Sequence, residues 1–350
     1  MLITGSRLIP YRLPLTKAWQ STRTFLRFRE GWLLILETRS GQQGIGECAP
    51  LPDMGTELPG VASAWLTETL PALRGRAPGD LLQEIPSNAP SSARFGLETA
   101  LLDLLCKAQG LPIHAWLTPK STTRIRVNAA VGTLGERTAA RITRASDEGH
   151  GVFKIKVGIG SASAELKTIQ RLFKCMNPQT KLRLDANGAW TPEDAAYFIS
   201  GLDSDLVESL EEPLILPDPE ILASLQAMTD ISLALDESLP LFLRRHPVDR
   251  VPVRRIIVKP AVCGGIIRSL QIRRDADLAG IESVVTSTLE SNIGILAGAH
   301  LAAATDGDTP GVHGLATGDW FARNTAPSPT VNAGRLQLPA GAGLGFSGVR

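Results

Sequence analysis

The feature that most constrains the fold is an alternation of short apolar runs with helix-length stretches, from about residue 119 to about residue 320. The apolar runs have the length and composition of buried strands. Such alternation favours a parallel sheet with crossover helices, and seven or eight units in this length predict a (β/α) barrel. A doubly wound open sheet is the alternative. The predicted strands are 124–131, 152–157, 181–185, 206–211, 231–236, 255–259, 281–286 and, as a weaker candidate, 311–315.

The first third of the chain has a different texture. Apolar runs at 33–36 and 44–47 flank Gly41 and predict a hairpin. Apolar residues at helical spacing predict a helix over 93–109, which ends at Gly110. The stretch 50–55 is rich in Pro and Gly, and we expect a loop without regular structure there. We therefore predict three parts: an α+β capping domain over 1–118, a barrel over 119–322, and a C-terminal tail over 323–350 that packs on the cap.

Composition excludes several classes of partner. The formal net charge is +1 and no Lys/Arg-rich run stands out, so we expect neither a nucleic-acid nor a membrane partner. No apolar stretch reaches the roughly 18 residues that a spanning helix needs, and the N-terminus does not read as a signal peptide. The four cysteines are far apart, which favours free thiols in a cytoplasmic protein.

Charged side chains end five successive predicted strands. They recur roughly every 25 residues, about one βα unit of a barrel, so each falls at the same phase of its unit. In a barrel this phase places them together on the rim formed by the carboxyl ends of the strands, where barrel active sites are built. The residues are Lys154 and Lys156 on one strand, then Asp185, Glu211, Asp236 and Lys259 on the following ones.

These residue types predict metal-assisted proton abstraction. Three converging carboxylates repel one another unless a cation lies between them, and oxygen ligands suit Mg²⁺, with Mn²⁺ as an alternative. Such an ion stabilises the enediolate that forms when a small-molecule carboxylate substrate loses its α-proton. Lys156, nearest the strand end, is the expected acid/base group, with its pKa lowered by Lys154, which would also contact substrate. Lys259 would face the other side of the substrate.

Several residues near this rim have two interpretations. Glu212, Glu237 and Asn187 adjoin the acids and could be ligands, although groups that orient ligands are favoured. Arg183 lies on the same face as Asp185 and could make a structural ion pair or contact substrate. A glycine pair at 158 and 160 weakly resembles a dinucleotide-binding turn and is favoured as an ordinary βα loop. A structural role is favoured for His313, and no partner base is visible for a catalytic Cys263.

At these residues the chain resembles the enolase superfamily and, within it, the muconate-lactonizing subgroup. The resemblance is carried by the Lys-x-Lys at 154–156 and by the segments 182–192, 210–213, 236–239, 257–260 and 286–291. It implies that Asp185, Glu211 and Asp236 bind the metal, that Lys156 is the acid/base and that Lys259 stabilises the enediolate by its charge. It also implies that Ser287, Thr288 and Pro52 face the substrate.

Within the subgroup, the chain is most similar to the o-succinylbenzoate synthases of menaquinone biosynthesis. The implied reaction is dehydration of 2-succinyl-6-hydroxy-2,4-cyclohexadiene-1-carboxylate, with proton removal and loss of hydroxide assisted by the same lysine. An N-acylamino acid racemase or a dipeptide epimerase with the same lysines is one alternative. The segment 314–320 lacks the Asp-x-Asp by which dipeptide epimerases hold a substrate ammonium, which disfavours an epimerase. A non-catalytic metal-binding scaffold is the other alternative.

Overall fold

A computed structural model of the chain describes residues 1–20, 25–306 and 310–349. The N-terminal part is an antiparallel sheet followed by helices, and the predicted hairpin is confirmed as its second and third strands. The helix predicted over 93–109 is also confirmed, and it ends at Gly110 in the left-handed conformation. The strands are β1 (Ile3–Gln20), β2 (Phe25–Thr38) and β3 (Gln43–Cys48), and the helices are α1 (Pro59–Thr69), α2 (Pro78–Glu84), α3 (Ser91–Gln109) and α4 (Ile113–Leu117).

Helix α3 packs on β3 unusually closely because both elements carry glycine at the contact. A Cβ atom on Gly46 would lie 1.9 Å from the carbonyl oxygen of Gly96, and one on Gly44 would lie 2.2 Å from that of Ala100. Any larger residue at these positions would push the helix away from the strand. Glu47, which lies next to Gly46 on β3, is also buried.

The remainder of the chain alternates strands and helices, as its apolar runs predict. Its strands are β4 (Arg124–Val127), β5 (Ala129–Thr133), β6 (Val152–Lys156), β7 (Lys181–Asp185), β8 (Val207–Glu211), β9 (Ser232–Leu235), β10 (Arg255–Val258), β11 (Glu282–Val285), β12 (Val312–His313), β13 (Thr330–Asn332) and β14 (Arg335–Gln337). Its helices are α5 (Thr138–Asp147), α6 (Ala162–Phe173), α7 (Pro192–Ser200), α8 (Pro219–Ala227), α9 (Leu239–Leu243), α10 (Pro260–Cys263), α11 (Ile266–Leu278) and α12 (Asn292–Thr305).

Strands β5 to β11 lie in chain order in one parallel sheet. Strand β12 pairs in parallel with β4, and Gly314 forms a parallel bridge with Thr286, which follows β11. These pairings bring the two edges of the curled sheet toward β12, an arrangement consistent with a (β/α) barrel. A doubly wound sheet would instead reverse its strand order at a switch point, so that alternative does not fit.

Burial explains why the strands read as apolar runs. Every residue of β9 and β10 is buried, as expected for parallel strands covered on both faces. Asp236 directly follows β9 and Lys259 directly follows β10, so the change from apolar to charged residues marks the rim of the sheet. Among the described residues, no helix is long and apolar enough to cross a membrane. The four cysteines are free thiols, as expected.

Some local predictions differ from the structure. The run 124–131 is divided at Asn128 into β4 and β5, and only two residues of the run 311–315 form β12. The expectation of no regular structure over 50–55 is wrong, because Pro52–Met54 forms a 3₁₀ turn. Proline presets the φ angle that the first position of such a turn needs, and Gly55, with φ +98°, ends it.

The C-terminal segment contacts both parts of the chain. Strands β13 and β14 form an antiparallel hairpin, and β14 pairs with β4. Farther on, the N–H of Leu344 donates to Asp103 Oδ1 of α3 at 2.7 Å. The division into 1–118, 119–322 and 323–350 stays a prediction.

Candidate active site

The strand register brings the charged strand ends together at one rim. Lys156 lies beside Asp185, and Asp185 lies beside Glu211, in the parallel pairs β6–β7 and β7–β8. Asp236 directly follows β9, and Lys259 directly follows β10. The phase argument from sequence therefore matches the placement of all five residues. Asp185, Glu211 and Asp236 are buried, so their charges interact strongly with any cation among them.

Two of the three lysines are paired with the acids. Lys154 Nζ lies 3.0 Å from Asp185 Oδ2 and also bonds Glu211 Oε2. Burial lowers the pKa of Lys154, but the charges of Asp185, Glu211 and Asp236 outweigh burial and hold this pKa well above its ordinary value. The same lysine, with Lys156, holds the pKa of Asp185 below its ordinary value despite the opposing effect of burial.

Lys259 is paired on the opposite side of the site. Its Nζ lies 2.7 Å from Asp236 Oδ2 and 3.7 Å from Met54 Sδ. Burial lowers its pKa, but Asp236 and Glu237 outweigh burial, so the pKa of Lys259 is raised above its ordinary value. Lys259 is therefore a fixed ammonium in this arrangement.

Lys156 differs from both of these lysines. Its Nζ is buried without a hydrogen-bond partner among the described residues, and it lies 4.5 Å from the centre of the Trp19 ring. Burial lowers its pKa, and the ammonium groups of Lys154 and Lys259 lower it further against the pull of Asp185. The charge of Lys154, expected from the sequence to lower this pKa, contributes less than burial does. An amine with a lowered pKa and no donated bond is suited to accept a proton.

Asp185, Glu211 and Asp236 are the residues that would hold a divalent ion. As the side chains stand, no group of three His, Cys, Asp or Glu in the described part of the chain is arranged to hold an ion, and Lys154 bridges Asp185 and Glu211. The donors are nevertheless buried oxygen ligands, which Mg²⁺ prefers. Asp236 Oδ1 is also buried without a partner among these residues. The chemistry of the three carboxylates thus fits a hard cation.

The contacts of the residues next to the three acids bear on whether these residues bind a metal or orient its ligands. Glu212 Oε1 accepts from the N–H of Asp236 at 2.6 Å and from the N–H and Oγ of Ser238 at 2.8 and 2.6 Å. Asn187 donates to Glu237 at 3.1 Å. Both Asn187 and Glu212 have positive φ, 47° and 41°, which the surrounding bonds must hold in place. These contacts favour Glu212 and Asn187 as groups that orient the strand ends.

The residues expected to contact substrate differ in their burial and in their hydrogen-bond partners. Arg183 is buried and bonds Glu208 and the Val312 carbonyl oxygen, so the ion pair is the alternative that the contacts show. Ser287 Oγ lies 2.9 Å from Thr317 Oγ1. Thr288 Oγ1 is buried with no partner among the described residues. Pro52 is exposed at the surface of its turn, and a different residue of that turn, Met54, reaches Lys259.

Sequence reasoning missed two residues at this site. Met54 lies in the loop that was singled out, so the loop was found and the residue was not. Nothing in the sequence indicated Trp19 as a site residue, because it lies on β1, more than 100 residues from Lys156, in an ordinary strand context. Only the tertiary fold brings its ring to the lysine.

Three weaker signals are explained by structural contacts. The N–H groups of residues 158–160 all donate to Glu165, so this turn has none left for a phosphate. His313 accepts from the N–H of Val285 and pairs with Asp306, which is a structural role. Burial raises the pKa of Cys263 to about 11, which leaves its thiol unreactive.

Comparison with known proteins gives matches over most of the chain. Residues 4–104 match the family model "MenC, N-terminal domain", and residues 137–348 match "Enolase C-terminal domain-like". The L-Ala-D/L-Glu epimerase of Bacillus subtilis (strain 168) is 30% identical, over 83% of this chain and 82% of that protein. The o-succinylbenzoate synthase of Proteus mirabilis (strain HI4320) is also 30% identical, over 83% and 84%.

Solved structures give the same picture. The dipeptide epimerase of Enterococcus faecalis V583, in complex with Mg and the dipeptide L-Leu-L-Tyr, superposes with a TM-score of 0.87 at 26% identity and covers 99% of each chain. The relatives thus share one architecture and include both a lyase and epimerases.

Proposed function

Since this chain belongs to the enolase superfamily, we propose that it is a divalent-metal enzyme that removes the proton α to a carboxylate. The observation that carries the proposal is Lys156, a buried amine with a lowered pKa and no hydrogen-bond partner among the described residues. A buried polar group without a partner is costly, so an arrangement that keeps one is more readily explained by catalysis than by structure. This argues against a non-catalytic scaffold.

We further propose that the reaction is dehydration of 2-succinyl-6-hydroxy-2,4-cyclohexadiene-1-carboxylate to o-succinylbenzoate. Lys259, whose Nζ lies 2.7 Å from Asp236, can stabilise the developing negative charge without itself taking a proton. A two-base racemase also starts with one neutral and one protonated lysine, so the charge on Lys259 alone does not separate the two reactions. The similarity to a known o-succinylbenzoate synthase supports the choice of dehydration.

The chemistry follows from the positions of the two lysines. Neutral Lys156 takes the α-proton, and the C–H electron pair becomes part of an enediolate. The ammonium of Lys259 stabilises the developing negative charge from the opposite side. Lys156, now protonated, returns its proton to the departing hydroxide, so that water leaves and the ring becomes aromatic. Asp185, Glu211 and Asp236 would hold Mg²⁺, which stabilises charge on the carboxylate oxygens when it is bound.

The test is a spectrophotometric dehydration assay with Mg²⁺ on wild type, Lys156→Ala and Lys167→Ala. Lys167 is exposed on α6 and serves as the matched control. We expect the Lys156 variant to lose about 10³-fold in turnover, within the range of general acid–base catalysis, and the control to keep wild-type turnover. An inactive wild type, or an active Lys156 variant, would contradict the proposal.

The second candidate is racemisation or epimerisation of an acylated amino acid or a dipeptide. It is favoured by the similarity to the L-Ala-D/L-Glu epimerase. Deuterium incorporation at Cα from D₂O, followed by mass spectrometry across a library of such substrates, tests it. Exchange with inversion, together with no dehydration, would replace the first candidate by this one.

A further inference from the structure

Arg29 on β2 has an unusual set of contacts for a buried arginine. Its guanidinium donates to carbonyl oxygens of two separate segments. In the N-terminal part it bonds Pro50 at 2.7 Å and also Ala49. In the segment after β11 it bonds Leu289 at 3.0 Å and Thr288 at 3.3 Å. The planar fork of arginine can satisfy several acceptors at once, which a lysine ammonium cannot do in the same geometry.

Both of these segments border the candidate active site. Residues 49–50 lead into the turn whose Met54 contacts Lys259. Residues 286–291 begin beside Lys259, because the N–H of Thr286 donates to the carbonyl of Val258. Ser287 and Thr288, the expected substrate contacts, lie in this second segment. Arg29 therefore connects two parts of the wall around the site.

The second segment is strained where Arg29 holds it. Leu289 has a φ of +58°, a conformation that residues other than glycine rarely adopt. Such a backbone conformation persists only when surrounding contacts fix it. The bond from Arg29 Nε to the Leu289 carbonyl oxygen is one such contact.

Glu47 on β3 fixes the far end of the same segment. Its carboxylate accepts from the N–H and Oγ of Ser291 at 2.8 and 2.6 Å and from the N–H of Gly294 at 2.8 Å. It also accepts from the hydroxyl of Tyr11 at 2.5 Å. Glu47 is fully buried, so these bonds are shielded from water.

We propose that Arg29 and Glu47 are positioning residues that set which substrates the enzyme accepts. They hold residues 286–291 and 49–54 in register with each other and with Lys259. Because the expected substrate contacts Ser287 and Thr288 lie in the second segment, we place the end of the substrate remote from the reacting carbon against it. Lys156 ends β6, outside both segments. The effect on substrate choice rests on the proposed function, whereas the holding of the two segments by Arg29 and Glu47 does not.

The main variant is Arg29→Lys, which keeps the charge and loses the fork. Glu47→Gln is a milder second variant in case the first does not fold. Arg7→Lys is the matched control, since Arg7 lies on β1 in an exposed pair with Glu37 at 3.7 Å. Hydrogen–deuterium exchange is measured over 49–55, over 286–291 and over β6 to β8. Kinetics are measured with the full cyclohexadiene substrate and, by α-proton exchange, with the analogue that lacks the succinyl chain.

We expect amide exchange to rise together in 49–55 and 286–291 and to stay unchanged in β6 to β8. We expect kcat/KM for the full substrate to fall by about 10- to 100-fold, mainly through KM, because small misplacements of a binding wall have such effects. The α-proton exchange of the short analogue should change less than about twofold, because Lys156 ends β6 and Lys259 is still held by Asp236. A merely structural defect would instead lower both reactions equally.

Three results would overturn the proposal: unchanged exchange in both segments, a rise in only one of them, or equal kinetic losses for the two substrates. If Arg29→Lys does not fold, the same criteria apply to Glu47→Gln with effects of about threefold. A wild type that acts on neither substrate would contradict the proposed function alone, because the exchange measurements would still decide whether these residues hold the two segments.

Discussion

Two groups of helices around the barrel begin in different ways, while α5, α9 and α10 have no side-chain cap and belong to neither group. Helices α6, α7 and α8 start at Ser161, Thr191 and Asp218, and each of these side chains accepts from an N–H in the first turn of its own helix. Helices α11 and α12 start at Gly265 and Ser291, which make no such bond. The first group is capped locally, as isolated helices are.

The second group is capped by the N-terminal part of the chain. Glu98 of α3 accepts from the N–H of Ile267 at 2.9 Å, and Glu47 accepts from the N–H groups that begin α12. Glycine makes room for the first of these carboxylates, since a Cβ on Gly265 would lie 2.6 Å from Glu98 Oε1. A glycine where a polar cap is expected therefore marks a helix that depends on another part of the chain.

The two groups of helices support different parts of the candidate site. Lys156, Asp185 and Glu211 end β6 to β8, the strands that the locally capped helices follow. Lys259 and the segment 286–291 lie among the helices that the N-terminal part caps. The groups proposed for proton transfer and for most of the metal binding are thus held by the barrel itself. The segment proposed to contact substrate is held by the N-terminal part. We therefore expect changes at Arg29 and Glu47 to alter substrate choice more than they disturb Lys156, whose contact with the N-terminal part is the Trp19 ring.

Removal of the divalent ion is expected to have the largest effect on activity. Its structural effect should be confined to the strand ends that precede the locally capped helices. Chelation with EDTA should lower dehydration by at least about 10³-fold, because the ion contributes several kcal/mol to charge stabilisation. Re-addition of Mg²⁺ should restore activity. Amide exchange should rise at the ends of β7 and β8 and stay constant over 286–291. Full activity after chelation would contradict the metal role, and an equal rise in both regions would contradict the separation.

The pH dependence of the free energy of unfolding tests the capping of α11 by Glu98. Burial raises the pKa of Glu98 from 4.5 to about 7, so the native state keeps a proton that the unfolded chain releases. The stabilisation from this proton is complete below pH 4.5 and is lost as the pH rises through 7. The loss amounts to about 3 kcal/mol in the free energy of unfolding. Glu98→Gln keeps an acceptor and does not titrate, so its loss across this window should be smaller.

Urea unfolding between pH 4 and 8 measures this effect. Glu193→Gln is the matched control, since Glu193 is exposed in the first turn of α7. We expect the control to follow wild type. A Glu98→Gln profile parallel to that of wild type would show that the capping carboxylate holds no extra proton.

The sequence was informative where one structural unit repeats. The strand ends recur with the period of the βα unit, so the shared rim of Lys156, Asp185, Glu211, Asp236 and Lys259 could be predicted from spacing alone. The chemistry of paired lysines and acids then indicated a metal and a base. The assignment of these residues to catalysis stays a prediction, although their placement agrees with it.

Contacts between distant segments could not be predicted in this way. Trp19, Arg29 and Glu47 lie in ordinary strand contexts, and each meets residues more than 100 positions away. No periodicity connects such positions, because their meeting depends on how the N-terminal part sits on the barrel. Arg183 shows the reverse case, since its spacing placed it correctly beside the site while its partner Glu208 determines its role.

The smallest expected effect is the loss of a local cap. Asp218 accepts from the N–H groups of Glu220 and Ile221 at 2.9 and 3.1 Å and is exposed, so Asp218→Ala leaves these groups accessible to water. The expected cost is about 1 kcal/mol in the free energy of unfolding, measured by urea titration. Because α8 is capped within itself, kcat/KM and the amide exchange over 286–291 should not change. Glu47→Gln should do the opposite and alter kinetics, so a kinetic effect of Asp218→Ala equal to that of Glu47→Gln would remove the distinction between the two groups of helices.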